Sequence, residues 1–288
     1  MSESVVADFV GRFQAPGLPG GEPITGRVLL SRKRLVLAAD DGRTTVPLSS
    51  VFDVSVGFVP PEVEEFFSDT VTLAYAEGEE RRSVVIEGKG DNVDRFASVL
   101  FKALLSGTAA YLRHPAKVGG RVTDEPVQEV KLALRPRSLA FAGQKSVTID
   151  LTGVTNIERT TREFGGRSRE VLAVSHMDGR TAVTTDLAVT SRRKANILGR
   201  YVRLEYASFM EDIRDLDHSE EELEALVGVY STGGGVDLSS LLGAEPSQVT
   251  MVLNSLREDG LIVDGAEAVE LTPKGRVVVT QHLEDVNF

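Results

Sequence analysis

The sequence predicts an α+β chain: two copies of a small β domain, each closed by a helix, followed by a mainly helical C-terminal region. The first observation is a phrase written twice. V-L-L-S-R-K-R-L-V-L from Val28, a turn, and V-P-L-S-S-V-F-D-V ending at Val54 return as L-A-L-R-P-R-S-L-A-F from Leu132, a turn, and I-D-L-T-G-V-T-N-I ending at Ile157. The second is that each copy is followed by another hairpin pattern and then by an apolar stripe of helical period. The third is a change near residue 218, where alternation gives way to helix caps and short helical stripes. Leu35 aligns with Leu139, Leu48 with Leu151, Val51 with Val154 and Asp53 with Asn156. A repeat of roughly a hundred residues is too long for a solenoid unit and indicates a duplicated domain.

In the first copy, Val5 to Phe13 alternates as an opening strand, and the Pro/Gly-rich stretch from Ala15 to Pro23 is a loop. Val28–Leu30 and Leu35–Leu37 are strands, and Asp41-Gly42 is a two-residue hairpin signal. Val46 to Val56 continues the sheet, with Pro47 at an edge or strand start because it donates no ladder hydrogen bond. Val71–Tyr75 and Arg82–Ile86 flank a turn at Glu77-Gly78-Glu79. Asp91 caps a helix with Val93, Phe96, Ala97, Leu100, Phe101 and Leu104 on one stripe, ended by Gly107.

The second copy, from about Val118, has strands near Gln128–Leu134, Leu139–Phe141, Val147–Leu151, Val154–Glu158, Glu170–Ser175 and Thr181–Thr185. Asp178-Gly179 is again a hairpin turn, and the closing helix starts near Ser191. Its apolar positions are Ile197, Leu198, Tyr201, Val202, Leu204, Phe209 and Met210.

The third region opens on a capping box, Ser219 with Glu222, and a helix whose inward residues are Leu223, Leu226, Val227 and Tyr230. Asp237 caps a short helix carrying Leu238, Leu241 and Leu242. Pro246 suits a first helical position, and Val249, Val252, Leu253 and Leu256 form the inner face of the helix that Gly260 stops. Leu261–Val263 and Ala268–Leu271 pair across Asp264-Gly265, and Thr272-Pro273 starts a last helix or extended tail. The end, Leu283 to Phe288, mixes apolar and acidic residues as a frayed terminus or a docking peptide does.

Composition narrows the function classes. No apolar run is long enough to span a membrane, and Met1-Ser2-Glu3-Ser4 does not begin a signal peptide, so a cytoplasmic protein is expected. The absence of cysteine excludes disulfides, thiolate chemistry and cysteine-ligated zinc. The net charge of −11 is uneven: residues 1–117 carry −3, residues 118–217 carry +2, and the last 71 residues carry −10. Those last residues hold only Arg257, Lys274 and Arg276 as cations, which disfavours nucleic acid as their partner.

No motif carries catalytic chemistry. His114, His176, His218 and His282 lie far apart in sequence without metal-ligand spacing. Ser168 has no evident base. Gly233-Gly234-Gly235 and Gly88-Lys89-Gly90 lack the spacing of a phosphate loop and read as hinges and turns. Neither an enzyme nor a cofactor is expected. Basic side chains gather at Arg32-Lys33-Arg34 in a hairpin turn, at Arg159, Arg162, Arg167 and Arg169 in one loop, and at Arg192-Arg193-Lys194. The last group stands at a helix N-terminus, where the dipole disfavours cations. These clusters read either as solvated charge or as docking points for an acidic protein surface. Exposed sheet edges and helix faces predict self-association as a homodimer.

Six or seven strands plugged by one helix, twice over, resemble pleckstrin-homology-like domains, with P-L-S-S-V and D-L-T-G-V as the mid-domain strand. Three helices, a two-stranded wing and the phrase L-T-P-K-G resemble a winged helix. The predicted domains are 1–112, 118–215 and 219–288. The third helix of the winged helix would read DNA in a transcription factor, but its outward Ser247, Gln248, Thr250, Met251, Asn254, Ser255, Glu258 and Asp259 come with Arg257 as the only cation. A protein-binding face fits better. The opening S-V-V-A-D-F-V-G-R-F and the stretch G-R-V-L-L-S-x-x-R-L-V-L resemble the archaeal CheF taxis family, over the whole chain. That resemblance implies a non-enzymatic adaptor joining the phosphorylated response regulator CheY to the archaellum switch proteins, at the cytoplasmic face of the motor. Within that role, the charge pattern puts the regulator on the acidic and apolar face with Glu221, Glu224, Met251 and Glu258, and the motor on the basic clusters with Arg32, Lys33, Arg34, Arg162, Arg167 and Arg169. The alternatives are a winged-helix transcription regulator and a peripheral protein binding anionic lipid through Arg32-Lys33-Arg34.

Overall fold

Alternating apolar residues and tight turns give seven strands before the first helix in the computed structural model. The structure describes residues 3–18, 22–40, 42–57, 67, 69–87, 92–178, 181–235, 237–265 and 268–286. The turn residues Asp41 and Gly179, the predicted cap Asp91, the Gly88-Lys89-Gly90 segment and the terminal Asn287-Phe288 lie outside them.

The strands are β1 (Val5–Gln14), β2 (Ile24–Ser31), β3 (Arg34–Ala39), β4 (Gly42–Pro47), β5 (Val51–Val56), β6 (Thr70–Glu77) and β7 (Glu80–Glu87). They form one sheet in the order β4-β3-β2-β1-β7-β6-β5. The expected continuous strand Val46 to Val56 is broken at residues 48–50, and its halves become the two ends of the strand order. Pro47 closes an edge strand, where its missing N–H costs nothing. Period-2 alternation sends Val28, Leu30, Leu35, Leu37, Val46, Val71 and Leu73 to one face, all fully buried. Helix α1 (Asn92–Leu105) covers that face with Val93, Phe96, Leu100, Phe101 and Leu104. Burying each such side chain contributes roughly 1.5–3 kcal/mol. Phe96 meets Phe9 edge-on at 5.3 Å between centroids.

Two glycines explain part of the opening phrase. Gly11 and Gly26 face each other across β1 and β2. A Cβ on Gly26 would lie 2.3 Å from the Ala38 carbonyl oxygen, and one on Gly11 would lie 2.6 Å from that of Glu87. The strands approach too closely for any side chain at either position.

The second sheet repeats the first. Its strands are β8 (Ala109–Val118), β9 (Arg121–Val122), β10 (Gln128–Arg135), β11 (Ser138–Ala142), β12 (Val147–Asp150), β13 (Val154–Phe164), β14 (Arg167–Asp178) and β15 (Thr181–Val189). Apart from β9, which pairs with β8, the order β12-β11-β10-β8-β15-β14-β13 is the first sheet again, strand for strand. The local chemistry repeats too. Leu35 pairs with Leu30, and Leu139 with Leu134. The Leu48 amide donates to the Lys33 carbonyl at 2.8 Å, and the Leu151 amide to the Arg137 carbonyl at 2.8 Å. β8 is the counterpart of β1, and its alternation is interrupted by Arg113-His114-Pro115, which hides it from a hydropathy reading.

Helix α2 (Arg192–Arg214) closes the repeat, its first turn tied by Ser191, which accepts from the Lys194 amide at 3.2 Å. Ile197, Leu198, Tyr201 and Val202 are buried. The C-terminal region holds α3 (Glu220–Thr232), α4 (Leu238–Leu242), α5 (Pro246–Glu258), the antiparallel pair β16 (Ile262–Asp264) and β17 (Val269–Leu271), and α6 (Pro273–Val286). The chain divides into two compact units: one holds both sheets, α1 and α2 as far as Glu205, and the other runs from Tyr206 and includes Thr152–Val154 and Met177–Arg180. The second unit has its own core, with Phe209, Ile213, Leu226, Val229, Leu256, Leu261, Ile262 and Val279 buried together.

One expectation for α3 fails. Ala225, Leu226, Gly228 and Val229 face the core, whereas Tyr230 is 51% exposed. The stripe is rotated because α3 packs against α4, α5, α6 and β17, and the small Ala225 and Gly228 permit the close approach.

Candidate protein-binding surfaces

The C-terminal unit is built by its caps. Ser219 accepts from the Glu222 amide while the Glu222 carboxylate accepts from the Ser219 amide, the predicted capping box. Asp237 caps α4, and Pro246 occupies the first turn of α5. The L-T-P-K-G phrase acquires a mechanism. Thr272 accepts from the Gly275 amide, Lys274 donates to the Asp259 carbonyl at the end of α5, and a Cβ on Gly275 would sit 2.1 Å from the Leu261 carbonyl oxygen. The three-glycine link is structural as well: Gly233 takes a left-handed φ of 67°, and a Cβ on Gly234 would lie 2.2 Å from the Val269 carbonyl oxygen.

These contacts hold α3 beside α5. Burial pushes the Glu222 carboxyl up, but hydrogen bonds from Ser255 and Ser219 outweigh it and hold the group below its usual range. The Glu222–Ser255 bond marks the seam. Met251 and Glu258 share the Ser255 stripe of α5, and Glu221 and Glu224 share the adjoining stripe of α3. All four predicted side chains are exposed, Met251 at 72%. Tyr230, Leu241 and Val263 are further exposed apolar residues of this unit. The cation of the would-be reading helix is occupied: Arg257 donates to Asp264 at 2.7 Å and to Asn254 at 3.0 Å. Lys274 is held by the Asp259 carbonyl, so both of these cations serve the unit's own fold.

In the first unit, Arg32 and Lys33 form the tight turn between β2 and β3 and are exposed. Ser31 organises this turn, its hydroxyl receiving the Lys33 and Arg34 amides and donating to Glu3 at 2.6 Å. Arg34 also pairs with Glu3 at 2.8 Å, and the Ser31 hydroxyl and Arg34 guanidinium together hold the Glu3 carboxyl below its usual range.

The second arginine cluster is not in a loop. Arg159 and Arg162 lie on β13, Arg167 and Arg169 on β14, and only Gly165 and Gly166 form the turn, with φ of 59° and 75°. Those positive φ values identify the tight hairpin that the charged, Thr-rich strand pattern conceals. Arg162 binds Asp186 at 2.5 Å, a carboxylate whose side chain is 5% exposed. Arg169 stacks at 4.0 Å over the Tyr111 ring and donates to the Phe164 carbonyl. Arg159 pairs with Glu170 at 3.2 Å. Arg167, beside the turn, is exposed.

In the third basic group Arg192 is exposed, whereas Arg193 and Lys194 reach inward. Arg193 donates to the Leu48 and Val51 carbonyls, Lys194 to that of Leu104, and Arg200 forms a two-pronged pair with Asp53 at 3.0 Å. Burial, and Arg193 beside it, push the Lys194 ammonium below its usual value. Tyr201 meets Phe101 at a tilt of 55° with 5.5 Å between centroids, and donates to the Arg135 carbonyl. These side chains join the two repeats within the first unit.

His114 and His176, remote in sequence, stack 5.9 Å apart, and each ring bonds the Thr185 hydroxyl, at 2.7 and 3.0 Å. Among the described residues no group of three His, Asp or Glu side chains is placed to hold a metal, and no helix is long and apolar enough to cross a membrane.

Comparison with known proteins supplies the identity that this geometry leaves open. Taxis protein CheF2 of Halobacterium salinarum is 47% identical over 288 residues, covering all of both chains. Taxis protein CheF1 of the same organism is 28% identical over 286 residues, covering 96% of this chain and 95% of its own. The model of the family described as archaeal chemotaxis signal transduction system protein F matches residues 5–208. The chain therefore belongs to the CheF family of archaeal chemotaxis signal transduction.

Proposed function

We propose that the chain is a non-enzymatic adaptor, linking a phosphorylated CheY-type response regulator to the switch proteins of the archaellum at the cytoplasmic face of the motor. One observation carries the choice of regulator face: the C-terminal unit folds around its own core, yet shows carboxylates and Met251 outward while Arg257 and Lys274 are held internally. Such a surface repels phosphate backbones and suits a partner with basic side chains around an apolar contact. In this reading the sheets are pleckstrin-homology-like domains at 1–112 and 118–215, and residues 219–288 form a winged helix turned to protein binding. The regulator docks on Glu221, Glu224, Met251 and Glu258. The motor docks on Arg32, Lys33, Arg34 and the exposed Arg167, with Arg162 and Arg169 supporting that hairpin from within.

The test is binding of response regulator, with and without a phosphoryl mimic, to the intact chain and to a Glu221→Lys/Glu224→Lys/Met251→Lys variant. Tighter binding of the mimic-loaded regulator to the intact chain, lost in the folded variant, is the expected result. Equal binding by both proteins would refute the assignment.

A further inference from the structure

Helices α1 and α2 bury the same pattern of positions: Phe96, Ala97, Leu100 and Phe101 in the first repeat, and Ile197, Leu198, Tyr201 and Val202 in the second. The spacing is identical, so Val202 is the counterpart of Phe101, Gly199 of Ser98, and Arg203 of Lys102. The second repeat thus has valine where the first has a buried phenylalanine, and a bare helix position where the first has a side chain. A cavity of about 280 Å³ lies at this place, between α2 and the second sheet. Native cores leave few voids larger than a water molecule, so one of this size is exceptional.

Its walls belong to the core. Leu139, Leu172, Val174, Leu187, Leu198 and Val202 line it, and each is at most 5% exposed. Its mouth is different: Ile157 and Arg159 of β13 and Arg203 of α2 stand there, reaching solvent. A Cβ on Gly199 would lie 3.1 Å from Nη2 of Arg159 and 4.0 Å from Nη2 of Arg203. Two guanidiniums therefore converge over the helix position that carries no side chain. Glu170 pairs with Arg159 at 3.2 Å, and among the described residues no carboxylate pairs with Arg203. The mouth keeps a surplus positive charge. Three residues beyond the aligned Asp53 and Asn156, the first repeat has Val56 where the second has Arg159, so the arginine pair belongs to the second repeat alone.

An apolar chamber beneath two guanidiniums has the chemistry of a site for an anionic amphiphile. The walls suit a hydrocarbon body, and the forked donors suit a carboxylate head. Volume sets the length of the body. A cavity of about 150 Å³ accepts benzene, so about 280 Å³ accommodates roughly ten carbon atoms. A single leucine or phenylalanine from a protein partner would fill only part of it. Water suits it less, because a buried water needs several polar partners and the six wall side chains carry none.

We propose that the second repeat binds a single-chain anionic amphiphile, its hydrocarbon between α2 and the sheet and its head between Arg159 and Arg203. The proposal is independent of the response-regulator and motor readings, neither of which uses these two arginines.

Decanoate is the probe for the test. Calorimetric titration of the intact chain, below the micelle concentration, should show one decanoate per chain with a Kd below ~100 µM. Decyltrimethylammonium, with the same chain and a cationic head, should bind at least ~10-fold more weakly. Arg159→Gln/Arg203→Gln should lose about tenfold in decanoate affinity with unchanged circular dichroism. Val202→Phe restores the first repeat's residue and fills the chamber, so the folded variant should no longer bind decanoate. Methyl resonances locate the ligand without any variant: those of Leu172, Val174 and Val202 should shift on titration. No binding at ~1 mM, equal affinity for the two head groups, methyl shifts confined to other residues, or undiminished binding by folded Val202→Phe would each overturn the proposal.

Discussion

Replacing Arg162 by alanine should destabilise the first unit, not merely remove a docking charge. The pair it makes with Asp186 is asymmetric: the arginine side chain is 43% exposed, whereas the aspartate is 5% exposed on β15. Deleting one member of a fully buried pair costs about 3–5 kcal/mol, because the surviving charge is left in a poor solvent. Water can refill part of the exposed arginine site, which lowers the expected cost to about 2–3 kcal/mol. With a urea slope of about 2–3 kcal/mol/M, the unfolding midpoint of Arg162→Ala should fall by roughly 1 M. Arg167→Ala, at the exposed end of the same hairpin, should stay within about 0.5 kcal/mol of the parent. The double variant Arg162→Ala/Asp186→Asn should recover at least ~1 kcal/mol, since neutralising the stranded carboxylate removes most of the penalty. Urea titration followed by far-ultraviolet circular dichroism measures all three. A midpoint for Arg162→Ala equal to that of Arg167→Ala would refute the reasoning and make Arg162 a surface charge.

Gly26→Ala should destabilise by about 1–3 kcal/mol, because its Cβ meets the Ala38 carbonyl oxygen at 2.3 Å; thermal melts showing no loss would contradict this. Glu222→Ala should cost about 1 kcal/mol at pH 7 through the lost capping box. The folded-state pKa of Glu222 lies below its ordinary 4.5, so that contribution is complete above about 4.5 and disappears as pH falls through the lowered value. A parent–variant difference that stays constant from pH 7 to about pH 2 would exclude the linkage. Arg200→Ala and Asp53→Ala should show coupling of about 0.5–1 kcal/mol in a double-mutant cycle, since the pair is two-pronged but 45% and 35% exposed. Purely additive losses would mean that the pair does not hold the repeats together.

Elements with strong local chemistry are legible in the sequence, and those held by distant contacts are not. The repeat, the Ser219–Glu222 capping box, Pro246 at the start of α5 and the β16–β17 pair all follow from spacing alone. β8 is not legible, because Arg113-His114-Pro115 breaks its alternation and its pairing comes from β10 and β15, partners remote in sequence. The arginine hairpin reads as a loop because Glu, Arg and Thr carry no hydropathy signal; the Gly165-Gly166 pair was the available clue. Tyr230 points outward because the phase of α3 is set by four neighbours, which a single stripe does not encode. For the candidate surfaces, the sequence names charged residues but not their partners. Only three-dimensional contacts separate the exposed Arg32, Lys33 and Arg167 from Arg162, Arg169, Arg193 and Arg200, which hold the fold together.

The duplication explains why these arginines divide as they do. Two identical domains would present identical edges, and each would be equally open to a partner. Here the framework positions are kept, with Leu35 and Leu139 both fully buried and the Leu48 and Leu151 amides making the same turn bond. Divergence falls on the outer strand. Asp53 in β5 receives Arg200 from the second copy's helix, whereas the aligned Asn156 in β13 is exposed and carries no charge to attract such a helix. The acid stands on the edge that the second copy's helix closes, and the amide on the edge that no further repeat follows. The cations of α2 that work against its helix dipole are tolerated because first-domain carbonyls accept from them. Joining the repeats in this way occupies the β5 edge, whereas among the described residues its twin β13 pairs only with β14.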